Sequence, residues 1–308
     1  MGNVFYFGWE VALQEAIQRL FDGALTPVFS FFSAFGEEVI LIAILGLLYW
    51  CLDKEFGKFV GTSVAMGVVF NPLIKNIFLR RRPYFDNPNI KCLRPVDGDA
   101  DIYDIAAQGF SFPSGHSTNG TAVYGSLAVY TKKKLFWVIA CILLFLIGFS
   151  RVFVGVHFIT DVLCGWLLGS AIIAINSSLR KRLSEAAMYG ILILVSLPGI
   201  FYCTSNDYFT GLGLMIGIFG GFLFEKRFVN FEGTKKPLMC IIRLVCGLGL
   251  FVGLNAVLKL PFSSAFLESG TMAAMLVRTA RYAVLSFVDI AIYPMAFKLF
   301  DKTKADKF

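Results

Sequence analysis

Apolar residues along this chain come in long runs, separated by short polar bridges rich in lysine and arginine. A helix needs roughly 20 residues to cross the apolar part of a bilayer. By that measure the pattern predicts spans near 37–52, 55–78, 115–131, 134–150, 157–176, 186–203, 209–224, 239–258 and 282–300, of which the first and seventh are short. The first 35 residues follow a different pattern. Glu10, Gln14, Gln18 and Asp22 fall on one side at helical spacing, joined by Glu15 and Arg19, while Leu13, Ala16, Ile17, Leu20 and Phe21 fill the rest. This predicts an amphipathic helix lying at the membrane interface, with Phe5, Tyr6, Phe7 and Trp9 as anchors at headgroup level. A segment that crosses is the rival reading. Residues 1–22 carry acidic groups and turn early, which is not the arrangement of a cleaved signal peptide. Glycines recur in "GWLLG" (165–169) and "GLGLMIGIFGG" (211–221), which predicts close helix packing there.

The pattern therefore predicts an all-α protein, a polytopic transmembrane helical bundle. Its expected organisation is an interfacial segment at 1–35, a membrane core at 36–180, and further spans with a cytoplasmic tail at 181–308. Composition argues the same way. The chain is 57% hydrophobic and 16% charged, with a mean hydropathy of +0.71, unlike an ordinary soluble domain. The net charge of +7 is spread among the loops rather than gathered in a basic domain, so nucleic acid is not an expected partner. One set of loops carries Lys54, Lys58, Lys132 to Lys134, Arg180 to Arg182, Lys226, Arg227, Lys235 and Lys236, and the tail adds Lys302, Lys304 and Lys307. That face is expected to be cytoplasmic, with 79–114, 151–156, 204–208 and 259–281 outside. The outer segment 259–281 is expected to dip back or carry a short helix. Seven cysteines do not form a disulfide framework. Cys141, Cys164, Cys240 and Cys246 read as small apolar residues in spans. Cys92 and Cys203 both fall near the outer face, but their spacing does not argue for a bridge.

Three polar pieces fall on the expected outer side. The first is "KNIFLRRRP", 75–83, in which Lys75 and Arg82 are seven positions apart, about two helical turns. They can share one side of the helix or its continuation, while Arg80 and Arg81 read as a lipid-headgroup patch. The second is "PSGH", 113–116, at the start of a helix, where backbone N–H groups and the Ser114 hydroxyl suit an anion and Gly115 permits close approach. The third is Arg151 with His157 and Asp161, the last two being four apart and so on one helical face. A carboxylate in the membrane zone needs a partner, and His157 is the nearest candidate for Asp161. His116 and His157 are the only histidines in the chain. Lys75, Arg82 and Arg151 can surround the oxygens of a tetrahedral anion. Two imidazoles and a carboxylate then remain for chemistry, the division of labour that phosphoryl transfer requires. One histidine can act as a nucleophile and the other can protonate a departing oxygen. Metal binding is not expected, because two histidines and one aspartate on separate segments lack an evident fourth ligand.

Together the pieces resemble the type 2 phosphatidic acid phosphatase (PAP2) superfamily of membrane phosphatases. Its three motifs are present in order as Lys75-x6-Arg82-Pro83, Pro113-Ser114-Gly115-His116 and Ser150-Arg151-x5-His157-x3-Asp161. The resemblance covers roughly 37–176 and implies a PAP2-like core. It implies that His157 is the nucleophile that forms a phosphohistidine, that Asp161 orients it, and that His116 protonates the leaving oxygen and later activates water. Lys75, Arg82, Ser114, Gly115 and Arg151 would bind the phosphoryl group. It further implies no metal or other cofactor, and a lipid phosphate drawn from the bilayer as substrate. A sugar phosphatase of the glucose-6-phosphatase branch and a lipid phosphotransferase share the motifs. A membrane transporter is the alternative of a different class, with 186–300, which match no motif, carrying its work. Neither spans nor motifs bear on the oligomeric state.

Overall fold

The computed structural model describes residues 2–297, so the tail lysines and the end of the last expected span lie outside the described residues. Among those residues the architecture is helical, with one isolated backbone bridge between Asn3 and Arg80. Helix α1 is Gly8–Phe21, α2 is Thr26–Ala34, and α3 is Glu38–Gly46, which continues through the π-helical Leu47–Leu52. The long α4, Lys54–Phe78, leads into an outer loop with two short helices, α5 (Pro83–Asp86) and α6 (Ile105–Gln108). Then α7 (Gly115–Gly120) and α8 (Ser126–Thr131) are joined through the π-helical Thr121–Gly125. They are followed by α9 (Lys134–Phe153), α10 (Ile159–Arg182), α11 (Glu185–Ser196), α12 (Asn206–Phe224), α13 (Pro237–Val257), α14 (Ser264–Leu267) and α15 (Met272–Phe287).

Six helices are long and apolar enough to cross a membrane: Thr26–Leu52, Lys54–Phe78, Lys134–Phe153, Ile159–Arg182, Asn206–Val229 and Pro237–Val257. The chain is a multi-pass membrane protein. The first of these begins at Thr26 rather than near 37, because Pro27 starts a helix that Gly36 and the two glutamates after it only interrupt. Glu185–Phe201 is apolar but shorter. The last helix begins at Met272, ahead of the expected 282, because Thr271 caps it by accepting the Ala274 N–H while Arg278 and Arg281 mask its apolarity in the sequence. All seven cysteines are free thiols.

The described residues form two compact units, 2–41 with 70–175, and 42–69 with 176–297. In the first, α2 lies on α9, with the Phe29 ring 5.1 Å from Phe149 and 4.5 Å from Phe153. The amphipathic α1 has an unexpected orientation. Its polar residues Glu10, Gln14 and Gln18 are buried, while Phe7, Trp9, Leu13 and Leu20 are exposed. The buried amides are used: Gln14 donates to the Val152 carbonyl at 2.6 Å and Gln18 to the Phe153 carbonyl at 2.9 Å. These are carbonyls of the last turn of α9, and that of Val152 also accepts the Gly155 N–H at 3.1 Å.

In the second unit, Glu225 is fully buried and accepts from Lys54 at 3.0 Å and from the Tyr49 hydroxyl at 3.3 Å. Helices α12 and α15 approach closely at Gly213, against the Thr279 carbonyl, and at Gly217. A methyl group at Gly217 would collide with the Ser286 hydroxyl and the Ala283 carbonyl of α15. We expect Gly217→Ala to lower stability by about 1–3 kcal/mol, the usual cost of overpacking. It should appear as a lower melting temperature in detergent. Gly249→Ala on α13, where nothing lies within 4 Å, should be neutral or stabilise by up to about 1 kcal/mol.

Candidate active site

The three polar pieces belong to the first unit, and each is placed by a local turn. Helix α4 carries Lys75 in its last turn and stops at Phe78. Leu79 takes a left-handed conformation, φ 52°, and its N–H returns to the Lys75 carbonyl at 2.9 Å. The helix therefore stops short of Arg82, and its continuation is not helical. Residues 80–82 run extended instead, and successive side chains point to opposite sides. Arg80 and Arg82 are buried, while Arg81 is half-buried and ion-paired with Asp86. Arg82 donates through Nε to the Gln108 carbonyl at 2.8 Å, through Nη1 to Val156 at 2.9 Å and through Nη2 to Gln108 at 2.6 Å. It so ties the outer loop to the third piece.

The second piece enters α7 with Ser114 as its cap, the hydroxyl accepting from the Ser117 N–H at 3.4 Å. Two contacts fix this segment. The Ser114 N–H donates to the Asp161 carbonyl at 3.0 Å, and Asn71 of α4 donates to the Pro113 carbonyl at 3.2 Å. Gly165 of α10 lies against the Ser114 carbonyl, as the packing reading of "GWLLG" requires.

The third piece spans the end of α9, a turn at 154–158 and the start of α10. Arg151 is in the last turn of α9, and its Nη1 donates to the Ser33 hydroxyl of α2 at 2.7 Å. The turn needs Gly155, whose φ is 86° and whose missing side chain makes room for the Lys91 carbonyl. His157 precedes α10, so it and Asp161 are neighbours across a helix start rather than on a helical face. Its Nδ1 lies 3.4 Å from Asp161 Oδ2. That oxygen also accepts the Phe158 N–H at 2.8 Å, and Oδ1 accepts from Arg80 at 2.7 Å. Asp161 thus has the expected His157 beside it at 3.4 Å and, in addition, Arg80 at 2.7 Å. The expected headgroup role of Arg80 gives way for the same reason: its guanidinium is 2% exposed and lies 4.2 Å from the Phe158 ring.

Positive charge gathers around the two imidazoles. Arg82, Arg151 and Lys75 act on His157, and Arg151, Arg82 and Arg94 on His116. In the outer loop, burial pushes the Tyr84 phenol and the Cys92 thiol up, which keeps both neutral beside this cluster. Among the described residues, the buried polar atoms without a hydrogen-bond partner include His116 Nε2 and Arg151 Nε, while His157 Nδ1 meets the Asp161 carboxylate at 3.4 Å. A buried donor or acceptor left unmade is costly, which suits His116 Nε2 and Arg151 Nε to a ligand. An anion held by the arginines, with an imidazole on either hand, fits the set. The sequence reading missed Arg80, Glu10, Ser33 and Gln14. Glu10 lies 70 positions from the Arg80 it pairs with, and no spacing rule connects them.

The PAP2 superfamily profile matches residues 56–184, and that of the PAP2 superfamily phosphatase transmembrane extension matches 209–305, which includes most of the stretch that carries no motif. Among curated proteins the chain is similar to an undecaprenyl-diphosphatase of Sulfolobus acidocaldarius, 30% identical over 55% of this chain and 78% of the relative. It is also similar to phosphatidylglycerophosphatase B of Bacillus subtilis, 46% identical over 20% of this chain and 34% of that protein. Among solved structures, the transmembrane PAP2 type phosphatidylglycerolphosphate phosphatase of Bacillus subtilis aligns over 58% of this chain and 90% of that one, at 24% identity and a TM-score of 0.44. With both profiles in place and a relative aligned over most of its own length, the chain belongs to the PAP2 superfamily.

Proposed function

We propose that this chain is a PAP2-type phosphatase that hydrolyses a lipid phosphate monoester or diphosphate through a phosphohistidine on His157. The observation that carries the reading is the pair of unpartnered buried atoms, His116 Nε2 and Arg151 Nε, together with the His157–Asp161 contact and the buried cations that act on His157. With Nδ1 toward Asp161, His157 keeps Nε2 for attack on phosphorus. The P–O bond to the lipid breaks as the P–N bond forms, and His116 gives its proton to the departing oxygen. His116 then takes a proton from water, whose oxygen displaces His157 and releases inorganic phosphate. Lys75, Arg82 and Arg151, with the Ser114 hydroxyl and the Gly115 backbone, hold the equatorial oxygens, where charge must be balanced. These cations supply the stabilisation that a metal gives elsewhere, so the step is expected to proceed without one. The loop lysines and arginines support an active site on the extracytoplasmic side, with the C-terminus in the cytoplasm and the cell membrane as the expected location. A lipid substrate suits the site because its apolar tail stays in the bilayer. The two named relatives both act on lipid phosphates, one a diphosphate and one a monoester.

The test is phosphate release by the detergent-purified chain with EDTA present, across phosphatidic acid, phosphatidylglycerol phosphate, sphingosine phosphate, undecaprenyl diphosphate and glucose 6-phosphate. Release from a lipid, reduced about a thousandfold or more by His157→Ala, is the expected result. Release from glucose 6-phosphate alone would move the chain to the sugar branch. Transport of a lipid phosphate that survives His157→Ala would overturn the reading. A second expectation concerns Arg151→Lys. Lysine lacks the planar fork that lets Arg151 hold Ser33 and still present Nε. We expect kcat/KM to fall about a hundredfold, the scale of one lost transition-state donor. Unchanged kinetics would remove Arg151 from the phosphate site.

A further inference from the structure

Behind Asp161 lies a second layer of buried charge. Arg80 uses its guanidinium in several directions: Nη1 donates to Asp161 Oδ1 at 2.7 Å and to the Thr160 hydroxyl at 2.8 Å, and Nη2 to Glu10 Oε2 at 3.0 Å. Its Nε donates to the Phe5 carbonyl at 2.8 Å. Glu10 in turn accepts from the Thr160 N–H at 2.9 Å and from its hydroxyl at 2.6 Å. Glu10 and Asp161 are wholly buried and Arg80 nearly so. From the same helix, Gln14 reaches the carbonyl of His157 itself at 3.3 Å.

The charges do not balance within this group. Two carboxylates share one guanidinium, which leaves one net negative charge in a buried place. A buried ion pair is weak as a source of stability, and a buried net charge is worse unless an opposite charge faces it. The group that Asp161 faces is His157, and a phosphorylated imidazole that keeps its Nδ1 proton is positively charged. The remaining charges around His157, from Arg82, Arg151 and Lys75, are all positive and serve the phosphoryl oxygens. The carboxylate beside the ring is that of Asp161, whose Oδ2 lies 3.4 Å from Nδ1.

We infer that Glu10 and Arg80 are positioning residues of the reaction: Arg80 fixes the Asp161 carboxylate against His157, and Glu10 restores the negative charge that Arg80 would otherwise cancel. The N-terminal helix α1 is thereby part of the active site's support. This rests on His157 being the nucleophile, as proposed above. The layer acts through Asp161 and touches no substrate.

The test uses the full chain in detergent, with Glu10→Gln as the central variant and Gln18→Ala as the control. Gln18 anchors the same helix to the Lys91 and Phe153 carbonyls without touching Arg80 or Asp161. We expect Glu10→Gln to lower kcat about ten- to a hundredfold with KM changed less than about threefold. Gln18→Ala should lower the melting temperature but keep kcat. The chain has two histidines, so 15N-histidine NMR reads both rings, assigned with His116→Gln. The His157 resonances should move in Glu10→Gln, and those of His116 should not. Thr160→Val removes the hydroxyl between Glu10 and Arg80 while keeping both charges, and should act in the same direction more weakly. It serves as the second variant if Glu10→Gln does not fold. Equal loss of kcat in Gln18→Ala and Glu10→Gln would reduce the layer to helix docking and overturn the inference. So would His157 resonances that do not respond to Glu10→Gln, or to Thr160→Val in its place. If no substrate is hydrolysed, the functional reading fails, and the NMR comparison still decides whether Glu10 is coupled to His157.

Discussion

Asp161 has no exposed surface, and a carboxylate so placed persists only where something opposes its charge. Arg80 opposes it at 2.7 Å, and much of the first unit follows from that contact. For the guanidinium to arrive, α4 must end at Phe78 and the chain must turn at Leu79 into extended backbone. That course sends Arg80 and Arg82 inward together and Arg81 outward. Asp161 then fixes two more segments. Its carboxylate accepts the Phe158 N–H, which shapes the turn that carries His157, and its carbonyl accepts the Ser114 N–H, which places the start of α7. One residue thus joins the third motif to the other two.

How much of this was legible in the sequence depends on how local each cause is. The long apolar runs show directly as helices, and the motif residues show because their spacing is short and their types are rare. Lys75, Arg82, Ser114, Arg151, His157 and Asp161 were all within reach of such reading. What was hidden needed backbone conformation or distant pairing. "RRR" offers three identical side chains, and only the φ of 52° at Leu79 decides which two turn inward. Glu10 and Arg80 are 70 positions apart. The start of α15 was masked by Arg278 and Arg281, whose charges lower the apparent apolarity of a helix that runs from Met272.

The amphipathic N-terminal helix shows a related ambiguity. Period 3.6 reveals that two faces exist, but not which of them meets the protein. In a soluble domain the apolar face would turn inward. Here the surroundings reverse the choice. The end of α9 and the residue His157 present carbonyls inward, and Gln14 and Gln18 donate to them. The apolar side with Trp9, Leu13 and Leu20 is left exposed, as a helix at a membrane interface can tolerate.

The arginines of the site divide their duties according to what already occupies them. Each of the three guanidinium nitrogens of Arg82 donates to a backbone carbonyl, of Gln108, Gly109 or Val156. Its place is fixed by those bonds, and its positive charge still acts on both imidazoles. Arg151 is held by fewer: Nη1 meets Ser33, while Nε is buried and unmatched. An unmatched donor on a fixed arm gains most from an incoming oxygen, because the cost of burying it is already part of the fold. On the proposed reading, Arg82 balances the charge of the phosphoryl oxygens from a fixed place, and Arg151 adds a directed bond. Substitution of the first should disturb the turn and outer loop as well as the charge, whereas substitution of the second should act chiefly on the bound anion.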